Sequence, residues 1–534
     1  MRSQSTAYFS SLPVMLMFLF GLANAQHDAN APEPLPPLEG TLFLHGGGMV
    51  DPEMRSLFVK LSGGAQSRIV VIPTADTSEP LDAKKIEVWQ ASEPKSVAFL
   101  HAESRQEVAA LDCDELLANA TAVWFSGGKQ TRLVDIYGDT KVEASIKRLL
   151  ARGGVVGGTS AGTAIASKLM LVYDEFKTGF DFLPGTIVDQ HFLAKNRLKR
   201  LQNAVDLHSD QVGFGIDEKT AMIVRGRRIE VAGVSTVSII IAASIDRPAR
   251  MEVLKAGDIV DLVSLRRTAQ ARQAVPFPNK QVDAPKLDKG SLVIAGGGSL
   301  PAAAMDKFIE LAGGDRSRIV YVPCEEAKTI DREPGMVQVL RRAGAGSVDW
   351  LHTKNRTLAN DPAFVAKLAS ATGVWFGGGR QWNLADSYQN TEAHRLMHLV
   401  LDRGGVIGGS SAGASIQGDY MPRGDPLGNT QMMAEGYERG LGFLAGVAID
   451  QHFAQRNRFA DMAHLKKTFP QLLGIGIDEG TCLIVQGSLA SVIGPGKVAF
   501  FDQPIGSKSL DEYVSVAADE TYDLVDRKTV PKPE

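Results

Sequence analysis

A chain of 534 residues with 44% hydrophobic and 22% charged residues has globular proportions and is long enough for two or more domains rather than one core. Its formal net charge of −4 lacks the basic footprint of a protein that tracks DNA or RNA, so nucleic acid is not an expected partner.

In chain order, Arg2 precedes the apolar run Leu12–Leu22, and Ala23-Asn24-Ala25 supplies the small residues of a cleavage site. Residues 1–25 therefore read as a secretory signal peptide. The run is short for a membrane span, and no later stretch approaches about 18 uninterrupted apolar residues, so the expectation is a soluble protein without a membrane anchor, secreted or periplasmic. Cys113, Cys324 and Cys482 lie far apart, unlike the paired spacing of a zinc site or a small disulfide scaffold, and are read as structural. An oxidising compartment leaves one disulfide open.

The chain then repeats itself. Ser67–Pro73 (SRIVVIP) returns as Ser317–Pro323 (SRIVYVP), Ala122–Gly128 as Gly373–Gly379, and Arg152–Gly162 as Arg403–Gly413, at an offset of about 250 residues. Asp189–Phe192 returns as Asp450–Phe453, and Gly215–Glu218 as Gly476–Glu479. A period this long means duplicated domains, not a solenoid. Within a copy, β-branched runs such as Arg68–Ile72 and Gly154–Val156 predict strands buried on both faces. Val142–Arg152 has apolar residues at helical spacing and stops at Gly153-Gly154. Such units imply an α/β domain with a mainly parallel sheet flanked by helices. The predicted boundaries are 39–266 for the first domain, 267–289 for a proline- and charge-rich linker, and 290–534 for the second.

Gly158-Thr-Ser160-Ala-Gly162 follows an apolar strand and precedes a helical stretch, and Gly409-Ser-Ser411-Ala-Gly413 repeats it. This is the G-x-S-x-G turn that exposes a serine oxygen at the start of a helix. Ser160 and Ser411 are the candidate nucleophiles; the alternative is a tight turn in which the serine only caps the helix. The backbone N–H groups near Gly128 and Gly379, with those of Ala161 and Ala412, are candidate oxyanion donors. His191 and His452, duplicated in register, are the candidate general bases. Glu218 and Glu479 are the candidate orienting carboxylates, with Asp217 and Asp478 beside them. The order Ser, His, acid differs from the Ser, acid, His order of an α/β-hydrolase.

These strings together, Gly-Gly-Thr-Ser-Ala-Gly, then Asp-Gln-His-Phe with spaced basic residues, then Gly-Ile-Asp-Glu, resemble the cyanophycinase and dipeptidase E family over nearly all of both copies. The resemblance implies two tandem class I glutamine-amidotransferase-like domains and Ser-His-Glu triads at the positions given above. It also implies cleavage of aspartyl peptides, with cyanophycin, a poly-aspartate bearing arginine branches, as substrate class. It makes Gln130, Gln190, Lys195, Arg197 and Arg200 substrate-binding candidates in the first copy and Gln381, Gln451, Arg456 and Arg458 in the second. Arginine suits carboxylate recognition through its planar fork. The chain departs from the family pattern at Lys195, at Asp461 and at Lys129 and Arg380, where cations replace an aspartate. The second copy also has the longer interval from serine to histidine, 41 residues against 31, and is expected to be the more active. The copies are expected to pack as an internal pseudo-dimer.

Other signals lead elsewhere. His394 and His398 have metal-like spacing but lack H-E-x-x-H and read as a solvated helix face. His45-Gly-Gly-Gly48 and Ala295-Gly-Gly-Gly298 do not continue as a dinucleotide fingerprint and read as strand-to-helix turns at the active-site rim. No metal or cofactor is expected. The competing functions are a binding protein that has lost activity and a glutamine amidotransferase, which needs cysteine where the elbows have serine.

Overall fold

Strands that are apolar at every position must be covered on both faces, and this organises each copy. The computed structural model describes residues 34–77, 84–502 and 513–531; the expected signal peptide, 1–25, lies outside them. In the first copy Leu42, Leu44, Val70, Ile72, Val123 and Phe125 enter one hydrophobic cluster, and Phe43, Ile69, Val71, Ala122 and Trp124 enter another. That alternation is the two-residue period of a sheet with helices on both sides. The second copy repeats it, with Leu292, Ile294, Val320 and Phe376 on one face and Val293, Ile319 and Trp375 on the other.

The large sheet of the first copy runs in the order Ser96–Phe99, Arg68–Ile72, Ala122–Phe125, Val155–Thr159, Thr41–His45, all parallel, and continues antiparallel through Thr220–Arg225, Arg228–Gly233 and Ile259–Asp261. The second copy has the same parallel order, Ser347–Trp350, Arg318–Cys324, Gly373–Gly379, Val406–Ser410, Ser291–Ala295, extended by four antiparallel strands. A smaller sheet beside each large one contains Thr186–Gln190 paired in parallel with Val212–Ile216, and Leu444–Gln451 paired with Leu473–Ile477. The helix expected over Val142–Arg152 is Lys141–Ala151. Cys113, Cys324 and Cys482 are free and buried, and burial pushes the thiols of Cys324 and Cys482 up to about 12. Among the described residues no helix is long and apolar enough to cross a membrane.

The helix Leu262–Gln273 runs through position 267, where the sequence places the start of the linker. Its Val263 joins the main hydrophobic cluster of the second copy. Around it the first copy extends arginines onto the second. The Arg227 guanidinium bonds Asp261 and Asp386, donates to the Tyr437 hydroxyl at 2.8 Å, and lies 4.0 Å over the Trp382 ring. Arg247 pairs with Glu435 and Glu438, Arg272 with Glu435, and Arg267 with Asp386 and the Gly436 carbonyl. Removing one member of such a half-buried network leaves its partners charged and unpaired. Arg227→Ala is therefore expected to cost about 2–3 kcal/mol in urea unfolding. Lys328→Ala, which breaks an exposed pair with Glu39, should stay within about 0.5 kcal/mol. Equal effects would show that the Arg227 network does not join the copies.

Candidate active sites

Each site forms where the carboxyl ends of the two sheets of one copy meet. The strand Val155–Thr159 delivers Ser160, and the strand Thr186–Gln190 of the smaller sheet delivers His191. Glu218 sits in the turn between Val212–Ile216 and Thr220–Arg225, where the chain passes from the smaller sheet to the large one. Val406–Ser410, Leu444–Gln451 and the turn after Leu473–Ile477 do the same for Ser411, His452 and Glu479.

The elbow depends on close backbone approach. A Cβ built on Gly158 would lie 2.5 Å from the Gly162 carbonyl carbon, and one on Gly162 2.4 Å from the Phe125 carbonyl oxygen, so both residues must be glycine for the strand to turn directly into the helix. Ser160 and Ser411 take left-handed φ values of 52° and 56°, which a side-chain-bearing residue adopts only where the surroundings hold it. The N–H of Ser160 donates to the His45 carbonyl and that of Ser411 to the Ala295 carbonyl. Both serines are thereby tied to the central strand.

Ser160 Oγ lies 2.8 Å from His191 Nε2, and His191 Nδ1 lies 2.6 Å from Glu218 Oε1. In the second copy the distances are 2.9 Å from Ser411 Oγ to His452 Nε2 and 2.5 Å from His452 Nδ1 to Glu479 Oε1. A carboxylate on Nδ1 keeps the proton there and leaves Nε2 to accept from the serine hydroxyl. The neighbouring aspartates do other work. Asp217 accepts the N–H groups of Leu193 and Ala194 and the Ser235 hydroxyl; burial raises its pKa, but these donors outweigh it and hold the carboxyl below its ordinary value. Asp478 accepts the Ala454 and Lys497 amides. The carboxylate on each imidazole is therefore the glutamate's.

The glycine loops before the elbow lie against the serines: a Cβ on Gly127 would be 3.5 Å from Ser160 Cβ, and one on Gly378 equally close to Ser411 Cβ. Gly128 and Gly379 follow these glycines in the chain and pack against Ala75 and Cys324. The rim turns also lie at the site, since Cβ positions on Gly47 and Gly297 fall on the rings of His191 and His452.

The basic candidates divide. Arg197 bonds Asp189 and the Gln190 carbonyl, Arg200 bonds Asp189, and Arg458 bonds Asp450 and the Gln451 carbonyl, so these three point inward. Lys195 and Arg456 are exposed at the same register position. Gln130 donates to the Leu171 carbonyl and accepts from Gln190, while Gln381 donates to the carbonyls of Pro422 and Arg423. Among the described residues Gln451 Oε1 is buried without a hydrogen-bond partner. Lys129 is exposed, whereas the Arg380 guanidinium is held by the carbonyls of Asp425 and Gly428. The sequence reading misses Arg423, which reaches Asp450 from the segment after the helix Ala412–Ser415, where the first copy has Val172 in register. It also misplaces His394 and His398. Both are half-buried, with Nε2 atoms 2.9 and 2.8 Å from the Leu441 carbonyl, rather than on a solvated face. Among the described residues no group of three or more His, Cys, Asp or Glu is arranged to hold a metal ion.

Burial holds the His452 pKa below the ordinary histidine value; the Glu479 bond opposes this, and Arg456 and Arg458 add to it. The neutral imidazole, the form that accepts a proton, then persists to lower pH. In a Ser160→Ala chain the acid limb of kcat/KM is expected below pH 6.5. A limb above that value would contradict the assignment of His452 as base.

A serine peptidase is the class that this fold and this site define. The chain belongs to peptidase family S51, whose sequence model matches residues 42–232 and again 292–493. It is 31% identical over 203 residues to the cyanophycinase of Geminocystis herdmanii (strain PCC 6308), covering 35% of this chain and 74% of that one. With the cyanophycinase of Nostoc sp. (strain PCC 7120 / SAG 25.82 / UTEX 2576) it shares 31% identity over 253 residues, 45% of this chain and 82% of the other. The crystal structure of a peptidase from an acI-B1 Actinobacterium matches with a TM-score of 0.34 and 24% identity, over 42% of this chain and 98% of that one.

Proposed function

We propose that this chain is an exported serine peptidase that hydrolyses aspartyl peptide bonds of the cyanophycin type, β-aspartyl-arginine above all, through an acyl-enzyme. The observation that carries the reading is the hydrogen-bonded order Ser–His–Glu, made twice with matching distances. Ser160 or Ser411 attacks the amide carbonyl while its proton passes to Nε2 of His191 or His452. The glutamate stabilises the imidazolium, and the proton then goes to the leaving amine. Water completes the cycle by the same base. The N–H groups of Gly128 and Ala161, or Gly379 and Ala412, would receive the oxyanion.

The substrate class is supported by the cyanophycinase relatives and by the exposed cations Lys195 and Arg456, placed after each histidine where a substrate carboxylate can dock. Export rests on the sequence of residues 1–25. The contacts across the helix Leu262–Gln273 support the two copies acting as one internal pseudo-dimer. The test is digestion of cyanophycin and of a β-aspartyl dipeptide panel, with products read by mass spectrometry. Release of β-aspartyl-arginine supports the reading. Intact polymer and intact dipeptides with a folded protein would leave a binding role in its place.

A further inference from the structure

Buried carboxylates two residues before the catalytic histidines are held differently in the two copies. Asp189 is fixed by Arg197 and Arg200, with Arg197 Nη1 3.1 Å from Oδ1 and Arg200 Nε 2.9 Å from Oδ2. In the second copy Arg458 Nη1 lies 2.6 Å from Oδ1 of Asp450, but the register position of Arg200 is Asp461, which cannot donate. A second guanidinium comes from elsewhere in the chain. Arg423 Nε stands 3.3 and 3.1 Å from the two Asp450 oxygens, its Nη2 is 2.6 Å from Asp461 Oδ2, and its Nη1 donates to the carbonyls of Asn429 and Thr430.

We propose that Arg423 is a positioning residue of the second site, taking over in space the place that Arg200 fills in the first and holding the strand end that presents Gln451 and His452. The inference rests on the acyl-transfer reading for its catalytic readout. Arg423 is only 3% exposed and adopts φ 57°, a left-handed conformation that costs a non-glycine residue energy, so it is built into the fold rather than lying on the surface. A carboxylate as buried as Asp450 needs its charge matched, and a single guanidinium cannot satisfy all its lone pairs. Asp450 Oδ1 also accepts the Gln451 N–H at 3.0 Å, so its position sets that of the next residue. His452 itself has φ 50° and relies on its neighbours to stay there. Through its backbone Arg423 also receives the Gln381 side chain. One residue thus links the segment walling the pocket, the histidine strand and the loop before the elbow. The exchange changes charge as well: the cluster carries one surplus positive charge in the first copy and none in the second, where Asp461 balances it.

The experiment uses the full chain with Ser160→Ala, so that only the second site turns over, and β-aspartyl-arginine as substrate. Arg423→Met is expected to lower kcat about ten- to a hundred-fold with a smaller change in KM, because a displaced imidazole harms the reacting geometry more than binding. Adding Asp461→Arg returns a guanidinium to the register of the first copy and should restore most of kcat and of the thermal midpoint. Undiminished kcat in Arg423→Met overturns the inference. So does a double variant no better than the single one, since a packing defect is not repaired by an arginine entering from another helix. If Arg423→Met does not fold, Arg423→Lys, which keeps the charge and loses the fork, takes its place in both arms. A folded Ser160→Ala parent that hydrolyses nothing defeats the acyl-transfer reading at this site. The clamp is then judged by the thermal midpoint, and failure of the relocated arginine to restore it overturns the inference.

Discussion

The double variant Ser160→Ala with Ser411→Ala is expected to be folded and to lose at least about three orders of magnitude in peptidase rate. Removing the hydroxyl deletes the atom that attacks, while the imidazole, the glutamate and the oxyanion donors remain, so what survives is binding and polarisation alone. Of the single variants, Ser411→Ala is expected to be the more damaging. Arg197 and Arg458 are engaged inward in both copies, so the expected difference in activity rests on two other features. The first is the exposed cation after the histidine, Arg456 against Lys195, where only the arginine can pair with a carboxylate through two parallel bonds. The second is the longer segment between serine and histidine in the second copy, which holds Arg380 through the carbonyls of Asp425 and Gly428 and is expected to wall the pocket. Initial rates on β-aspartyl-arginine for the three variants, beside their thermal unfolding, decide the matter. A larger loss for Ser160→Ala makes the first copy the principal site.

Gly297→Ala should nearly silence the second site. Its φ of 102° is closed to alanine without strain, and a Cβ there would sit 2.3 Å from His452 Cε1, inside van der Waals contact with the base. The ring cannot step aside while Nδ1 stays on Glu479 and Nε2 on Ser411, so one or both bonds must break. A loss of about a hundred-fold or more in kcat/KM is expected in a Ser160→Ala background. Gly47→Ala should do the same to the first site, where the clash with His191 is equally close. Gly404→Ala is the control, because its φ of 86° is also left-handed but no atom lies within 4 Å of its Cβ position. It should cost about 1 kcal/mol of stability and leave the rate unchanged. Equal activity in Gly297→Ala and Gly404→Ala would show that the histidine does not depend on this turn.

The serine, histidine and glutamate that meet in each copy were legible in the sequence because the elbow is a local backbone motif and because every member recurs in register. Strands such as Arg68–Ile72 were legible for a similar reason: a run buried on both faces cannot be written with polar residues. What escaped depends on distance. Arg423 meets Asp450 across 27 residues, and its register position in the first copy is Val172, so no repeat marks it. Arg267 and Arg272 stand in a proline- and charge-rich stretch that reads as a linker, yet they lie on a helix packed between the copies. His394 and His398 looked solvated because the Leu441 carbonyl that they face lies 47 and 43 residues further along the chain. Composition carries no information about which surface a second domain will cover.

The arginines that join the copies give the chain an address. Arg227 has Ser488 at its register position in the second copy, and Asp386 has Asp135 in the first. The acceptors Asp386 and Tyr437 are therefore matched by the first copy and not by another second copy, which would offer a serine where a guanidinium must go. A second copy paired with another second copy would leave the half-buried Asp386 without its guanidinium, the kind of penalty that discriminates between partners. Tandem duplication usually invites confusion, because near-identical halves can exchange places or pair with the wrong chain during synthesis. Here the two halves have become distinguishable to each other, and correct assembly is encoded in a few side chains rather than in the length of the connection.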